Sequence, residues 1–211
     1  MNIGTLKYTE LELINIKFTN IVKMLIARNV VEDTLDNVLK IVNSDIKKSL
    51  QDSSIYIKSE LKINNKNINI VILQRAAPAS IIIKDFSITD NDKKNYYIFI
   101  TTEPKNLKTL YNYKNIEIFD NNFFDICLYE HELVPKHVLC TSDEKEEILG
   151  TDGLDCLIDN LPKMCIDDPN VKYFNAKEND IFKIYRYTEL SGMSIVYRAV
   201  KNYKSGTESS R

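Results

Sequence analysis

Both histidines of this 211-residue chain, His131 and His137, fall in the stretch LYEHELVPKHVLC at residues 128–140, which is preceded by Cys127 and ends on Cys140. These residue types could hold zinc or activate a nucleophile. A zinc protease helix needs two histidines four residues apart, so that both imidazoles leave one helix face toward one metal, with a glutamate between them as base. Here the spacing is six, and Pro135 lies between them. Proline removes a backbone donor and clashes with the preceding turn, so the two histidines cannot share a regular helix. A four-ligand set of Cys127, His131, His137 and Cys140 has suitable chemistry, but a short Pro-containing loop leaves little room for a fold to gather the ligands. The expectation is no metal site, with buried thiols and histidines bonded to polar partners.

Nucleotide and acyl-transfer chemistry find no better support. The chain holds five glycines. None stands in a phosphate-cradling pattern or beside a cysteine in a nucleophile elbow. No cofactor is expected. Lys and Arg number 28 against 30 Asp and Glu, for a net charge of -2, and neither half is strongly basic. A protein that grips DNA alone through phosphates carries a marked basic excess, so any nucleic-acid contact here should be local and supported by a larger partner. Cys127, Cys140, Cys156 and Cys165 form no CxxC pair, and no apolar signal region follows the N-terminus, so reduced thiols in an intracellular protein are expected. The apolar runs fall far short of the ~20 residues a membrane helix needs, so no membrane partner is expected.

Residues 10–28 carry Ile14, Phe18, Ile21, Val22 and Leu25 at helical spacing, and a second helix is signalled by Leu35, Val38, Leu39, Val42 and Ile46. The pattern then alternates in SIYIKSEL and NINIVIL, a strand pair about an Asn-rich turn. NYYIFIT reads as a buried strand, EPKNLKTLYNY as a short helix with Pro104 in its first turn, and NIEIF as a strand. Strand, helix, strand implies a parallel crossover. Near residue 125 a second module begins. In it Thr141 and Glu144 have capping-box spacing ahead of a helix that Gly150 is placed to end, and DIFKIYRYT and MSIVYRAV form a hairpin with Gly192 in its turn.

The string EHELVPKH resembles a signature of the fifth-largest RNA polymerase subunit, the one shared by eukaryotic polymerases I, II and III. The C-terminal part of that family is similar to a short archaeal RNA polymerase subunit. Five further segments follow in the family's order: the acidic helix TSDEKEEIL, then NLPKM, DDPNVKYF, DIFKIYRYTELSG and finally IVYRAV. IFITTEPKNLKTL, in the N-terminal half, resembles that family's strand and helix start. Where the family has glycines, this chain has Asn175 and Asn179, residues that tolerate positive φ. In the hairpin turn Tyr187 replaces a proline, while Arg186, Glu189 and Gly192 remain.

The resemblance implies an α+β or α/β chain of two parts: a jaw domain over 1–127, with helices packed on a mixed sheet, and a small mixed α+β assembly domain over 128–204, followed by a flexible tail at 205–211. It implies a non-catalytic polymerase subunit, one copy per complex, that docks on the largest subunit beside the other polymerase subunits. Its jaw would reach downstream double-stranded DNA. Candidate DNA contacts are Thr101, Thr102, Lys105, Asn106 and Lys108, at a strand-to-helix junction where amides and lysines suit phosphate. Candidate subunit contacts are His131, Glu132, Pro135, His137, Arg186, Glu189 and Arg198. Leu133, Val134, Tyr173, Phe174 and Tyr197 are assigned to the core. The setting would be a nucleus for a cellular version, or a cytoplasmic viral factory or virion for a version from a large DNA virus. The alternative is an independent metal-dependent DNA-processing enzyme on a nuclease-like sheet, with Glu60, Lys84 and Asp85 as scattered candidates that solvated strand-edge charges explain better.

Overall fold

The computed structural model describes residues 8–51, 55–63, 66–89, 94–150, 158–188 and 192–202. The chain divides into two compact units, Met1–Ile126 and Cys127–Arg211. Cys156, Glu189 and the expected tail at 205–211 lie outside the described residues.

In the first unit, helix α1 (Glu10–Ala27) starts at a capping box: the Thr9 hydroxyl accepts from the Glu12 amide, and the Glu12 carboxylate accepts from the Thr9 amide at 2.7 Å. Its apolar stripe buries Ile14, Phe18, Ile21, Val22 and Leu25. Helix α2 (Leu35–Gln51) buries Val38, Val42 and Ile46, four residues apart on one face. Four strands follow, β1 (Tyr56–Ile63), β2 (Lys66–Leu73), β3 (Asn95–Thr101) and β4 (Ile116–Asp120), in spatial order β1-β2-β3-β4. β1 and β2 are antiparallel, whereas β2, β3 and β4 run parallel.

Parallel neighbours need crossovers, and these lie on one face. Helix α3 (Ala79–Asp85) links β2 to β3, and a 3-10 helix, Pro104–Asn112, links β3 to β4. Ile82, Leu107 and Leu110 from these connections pack with Val71, Phe99 and Ile116 of the sheet. The sequence pattern does not predict α3, because the β-branched run Ile81-Ile82-Ile83 disfavours helix. The Pro104 segment, expected as a plain helix, is wound 3-10 with a kink at Leu107. Its buried leucines, Leu107 and Leu110, are three apart, which is the 3-10 repeat. α1 and α2 cover the other face, where Ser59 meets Asp45 of α2 and Glu117 meets Arg28 at the end of α1.

The second unit is a smaller mixed sheet with two α-helices among its described residues. Strands β5 (Lys136–Leu139), β6 (Lys163–Cys165), β7 (Ile181–Thr188) and β8 (Gly192–Lys201) stand in order β5-β7-β8-β6, with β6 parallel to β8 and the other pairs antiparallel. Helix α4 (Ser142–Gly150) carries the expected capping box between Thr141 and Glu144. Helix α5 (Pro169–Phe174) starts at Asp168, whose carboxylate accepts from the Asn170 amide at 2.8 Å, and has Pro169 in its first turn. Met164, Val171, Ala176, Phe182, Ile184 and Val200 form the core. Each such large apolar side chain contributes ~1.5–3 kcal/mol when fully buried.

A glycine-poor chain must close its helices by other means. Asn29, Ser87 and Asn175 take positive φ of 55°, 47° and 50° directly after α1, α3 and α5. At the first of these the Asn29 amide donates to Ile26 O at 2.9 Å and the Val30 amide to Leu25 O at 3.0 Å, which satisfies the last carbonyls of α1. Asn179 also has positive φ, 70°, so both asparagines that stand at the family's glycine positions adopt the left-handed conformation.

Candidate docking and nucleic-acid interfaces

The histidines serve separate local structures. His131 is exposed, and its Nδ1 accepts from the Leu133 amide at 3.2 Å. His137 is buried in β5, its Nδ1–H donating to Pro135 O at 2.6 Å and its ring edge-on to Phe182. Cys127 is a free thiol 4.0 Å from the Tyr173 hydroxyl, and Cys140 and Cys165 are free as well. Among the described residues no group of three or more His, Cys, Asp or Glu side chains could hold a metal ion. Glu60 lies on β1 and Lys84 and Asp85 on α3, and among the described residues no acidic metal cluster forms around them.

Cross-strand register gathers three of the candidate subunit contacts. Ile184 opposes both His137 on β5 and Val196 on β8, Phe182 opposes Arg198, and Arg186 opposes Ser194. Residues two apart on a strand share a face with the residues opposite them. His137, Arg186 and Arg198 therefore stand on the same face as the core residues Phe182 and Ile184. Burial lowers the His137 pKa from its ordinary value, the Pro135 carbonyl and Asp168 oppose that shift, and Arg198 and Arg186 add to it. The Arg198 Nε is buried with no hydrogen-bond partner among the described residues. A buried donor left unsatisfied costs about 1–3 kcal/mol, so this atom calls for an acceptor.

The opposite face of the same hairpin is apolar and uncovered toward its turn. Tyr187 opposes Met193 and Tyr185 opposes Ile195, and Tyr187, Met193 and Ile195 are 75%, 65% and 48% exposed. Sequence reasoning misses Met193 and Ile195, although MSIVYRAV has apolar residues on both faces, a sign that a second covering layer is required. Further along this face, Lys183 fastens α4 by an ion pair with Glu144 at 2.8 Å. Hydrogen bonding from Lys183, then from the Thr141 amide, holds the Glu144 carboxyl below its usual range.

Other expectations need correction. Leu133, assigned to the core, is 84% exposed because it sits in the turn between His131 and Pro135. Tyr173 is buried, while Val134, Phe174 and Tyr197 are partly buried. Thr101, a candidate DNA contact, is 1% exposed, and its hydroxyl accepts from the Glu103 amide at 3.2 Å. It therefore shapes the loop and cannot meet a ligand. Thr102, Lys105, Asn106 and Lys108 are exposed in the same segment. Glu103 occupies the helix-start position and accepts from Asn106 Nδ2 at 2.6 Å, which sets a carboxylate where a phosphate would sit. His131, Glu132, Pro135 and Arg186 are exposed, Arg198 is partly buried, and Glu189 is outside the described residues.

Each of the two units buries its own core, and the hairpin of the second exposes Arg186, Tyr187, Met193 and Ile195. Residues 126–200 match the family described as RNA polymerase Rpb5, C-terminal domain. The DNA-directed RNA polymerase subunit Rpo5 of Methanosphaera stadtmanae is 37% identical over 75 residues, which is 36% of this chain and 95% of that protein. Rpo5 of Archaeoglobus fulgidus is 42% identical over 73 residues, covering 35% of this chain and 93% of that protein. The subunit RPABC1 of DNA-directed RNA polymerases I, II and III of Caenorhabditis elegans is 41% identical over 71 residues, 34% of this chain and 33% of that protein. The chain belongs to the Rpb5/Rpo5 family of DNA-directed RNA polymerase subunits. As such it is a non-catalytic subunit, with other polymerase subunits as its partners.

Proposed function

We propose that the Cys127–Arg211 unit docks this chain on the largest polymerase subunit, and that the Met1–Ile126 unit forms part of the lower jaw that contacts downstream DNA. The observation that carries the docking reading is the exposed end of the β7–β8 hairpin, with Arg186 on one face and Tyr187, Met193 and Ile195 on the other. Arg186 offers a charged donor to an acidic or carbonyl acceptor of the neighbouring subunit. The exposed strip of Tyr187, Met193 and Ile195 offers apolar area for the same contact. His131, Glu132, Pro135 and Glu189 belong to the proposed contact segments by family likeness.

In the jaw, Thr102, Lys105, Asn106 and Lys108 supply polar and basic groups to phosphate oxygens. A net charge of -2 suits a chain that adds a few contacts while the assembled polymerase supplies most of the affinity. One copy per complex is proposed. The chain works inside the cell, in the nucleus for a cellular polymerase or in a viral factory or virion for a viral one. The reading is tested by isolating the polymerase through a tag on this chain and quantifying its subunits by mass spectrometry. One copy per largest subunit supports it; a chain recovered free of polymerase subunits overturns it.

A further inference from the structure

The edge of the first unit's sheet is closed at two positions and open at a third. β1 is the edge strand, and among the described strands it pairs only with β2. Along an antiparallel strand, alternate residues turn their backbone groups toward the partner strand and away from it. Ile55 turns toward β2, its carbonyl accepting from the Gln74 amide at 3.0 Å. Lys58 and Glu60 turn outward, and α2 supplies their partners. The Ser49 hydroxyl donates to the Lys58 carbonyl at 3.0 Å, and an Asp45 carboxylate oxygen lies 3.3 Å from the Glu60 amide.

The two spacings match along this edge. Residues 41, 45 and 49 form one stripe of α2 with a step of about 6 Å, close to the ~6.7 Å between alternate strand residues. Ser49 meets Lys58, Asp45 meets Glu60, and the third pair is Ile41 with Lys62. The Ile41 side chain offers no hydrogen bond, so among the described residues this stripe of α2 leaves the outward backbone groups of Lys62 uncapped.

A cavity of about 250 Å³ lies at this position. Val31, Val38, Ile41, Leu61 and Ile63 give it apolar walls, and Glu32, Asp33 and Lys62 complete its lining with two acidic residues against one basic. Asn37 and the Thr34 amide hydrogen-bond to Asp33 and hold its carboxyl below the usual range, so that it stays charged. Ile41 is 50% exposed.

We propose that this edge takes a short extended segment of another protein chain. The segment pairs its backbone with Lys62, places one apolar side chain in the cavity, and presents a flanking Lys or Arg to Glu32 and Asp33. The chemistry is strand addition, in which backbone bonds give affinity and the pocket selects alternate side chains. Because Ser49 and Asp45 occupy the neighbouring outward positions at Lys58 and Glu60, the contact stays small and transient, and it gains strength when the segment is tethered within a complex.

The full chain, labelled with ¹⁵N, is titrated with the peptide acetyl-Lys-Val-Ile-Val-Lys-amide and with its Glu-flanked counterpart. Saturable shifts confined to residues 31–41 and 61–63, at least about tenfold weaker with the acidic peptide, are expected. Lys62→Pro removes only an outward donor, a change an edge strand accepts, and is expected to abolish the shifts. Ile41→Glu, on the exposed side of α2, should abolish them too, and serves should the proline variant fail to fold. Equal binding of both peptides, no saturable shift up to about millimolar peptide, or unaltered binding in a folded Lys62→Pro or Ile41→Glu variant would overturn the proposal.

Discussion

Arg28 holds Glu117 through both arms of its guanidinium: Nη1 donates to Oε1 at 2.6 Å and Nη2 to Oε2 at 2.9 Å. The Tyr96 hydroxyl donates to Glu117 as well, and burial beside that carboxylate raises the tyrosine's pKa. The two charged side chains are 7% and 13% exposed, so this pair joins the end of α1 to β4 well away from solvent. Removing one member leaves the other charge buried. Glu117→Ala is expected to destabilise the first unit by about 3–5 kcal/mol, and Glu117→Gln by less, measured by urea unfolding of the full chain.

Asparagine at positive φ carries strain that glycine avoids. Asn175, at φ 50° after α5, donates its amide to Lys172 O at 3.1 Å, a bond that does not depend on its side chain. Asn175→Gly is expected to change stability by less than about 1 kcal/mol, whereas Asn175→Val is expected to cost more than that, because a β-branched residue cannot adopt this φ without strain. Thermal unfolding followed by circular dichroism ranks the three proteins. Equal stability of the valine variant would contradict the role assigned to this position.

His137 makes the second unit sensitive to acid. Its folded pKa lies below the ordinary histidine value of 6.5, with burial as the largest cause. The unfolded chain therefore binds a proton at a higher pH than the folded one. The histidine's contribution is complete above the unfolded pKa and is lost as pH falls through that value toward the folded pKa. The melting temperature is expected to fall between about pH 7.5 and 5.5, and His137→Gln is expected to flatten that slope. An unchanged slope in the variant would show that another group titrates.

The lysines of the proposed jaw segment should act on DNA and not on assembly. Lys105→Glu with Lys108→Glu is expected to make elongation complexes dissociate at lower salt, since each lost phosphate contact removes about one released counterion. Polymerase composition should be unaffected. The readout is the fraction of complexes retained on immobilised DNA across a salt series, and an identical series for both proteins would count against the contact.

Much of the fold is legible in the sequence because its periodicities are plain. Ile14, Phe18, Ile21 and Leu25 mark α1, and the alternation of β1 follows its burial pattern. α3 escapes because Ile81, Ile82 and Ile83 look like strand, while its place is set by the need to connect β2 to a parallel β3. The site is less legible. Arg198 can be named from family likeness, but its orphaned Nε follows from packing around Phe182, which no local pattern reports. Thr101 looks like a surface threonine because TTEPK resembles a helix start, yet it is the last residue of β3 and points inward. Leu133 looks like core by residue type alone.

The hairpin face carrying Arg186 and Arg198 is proposed to fasten this chain to the polymerase, and one measurement tests that directly. Tagged wild-type chain and tagged Arg186→Glu are expressed alongside the native subunits, and the largest subunit recovered with each is quantified. With the double variant Lys105→Glu, Lys108→Glu as a control, the expected result is an about tenfold or greater loss for Arg186→Glu and none for the control. Equal recovery of the largest subunit by the wild type and a folded Arg186→Glu chain would contradict the claim.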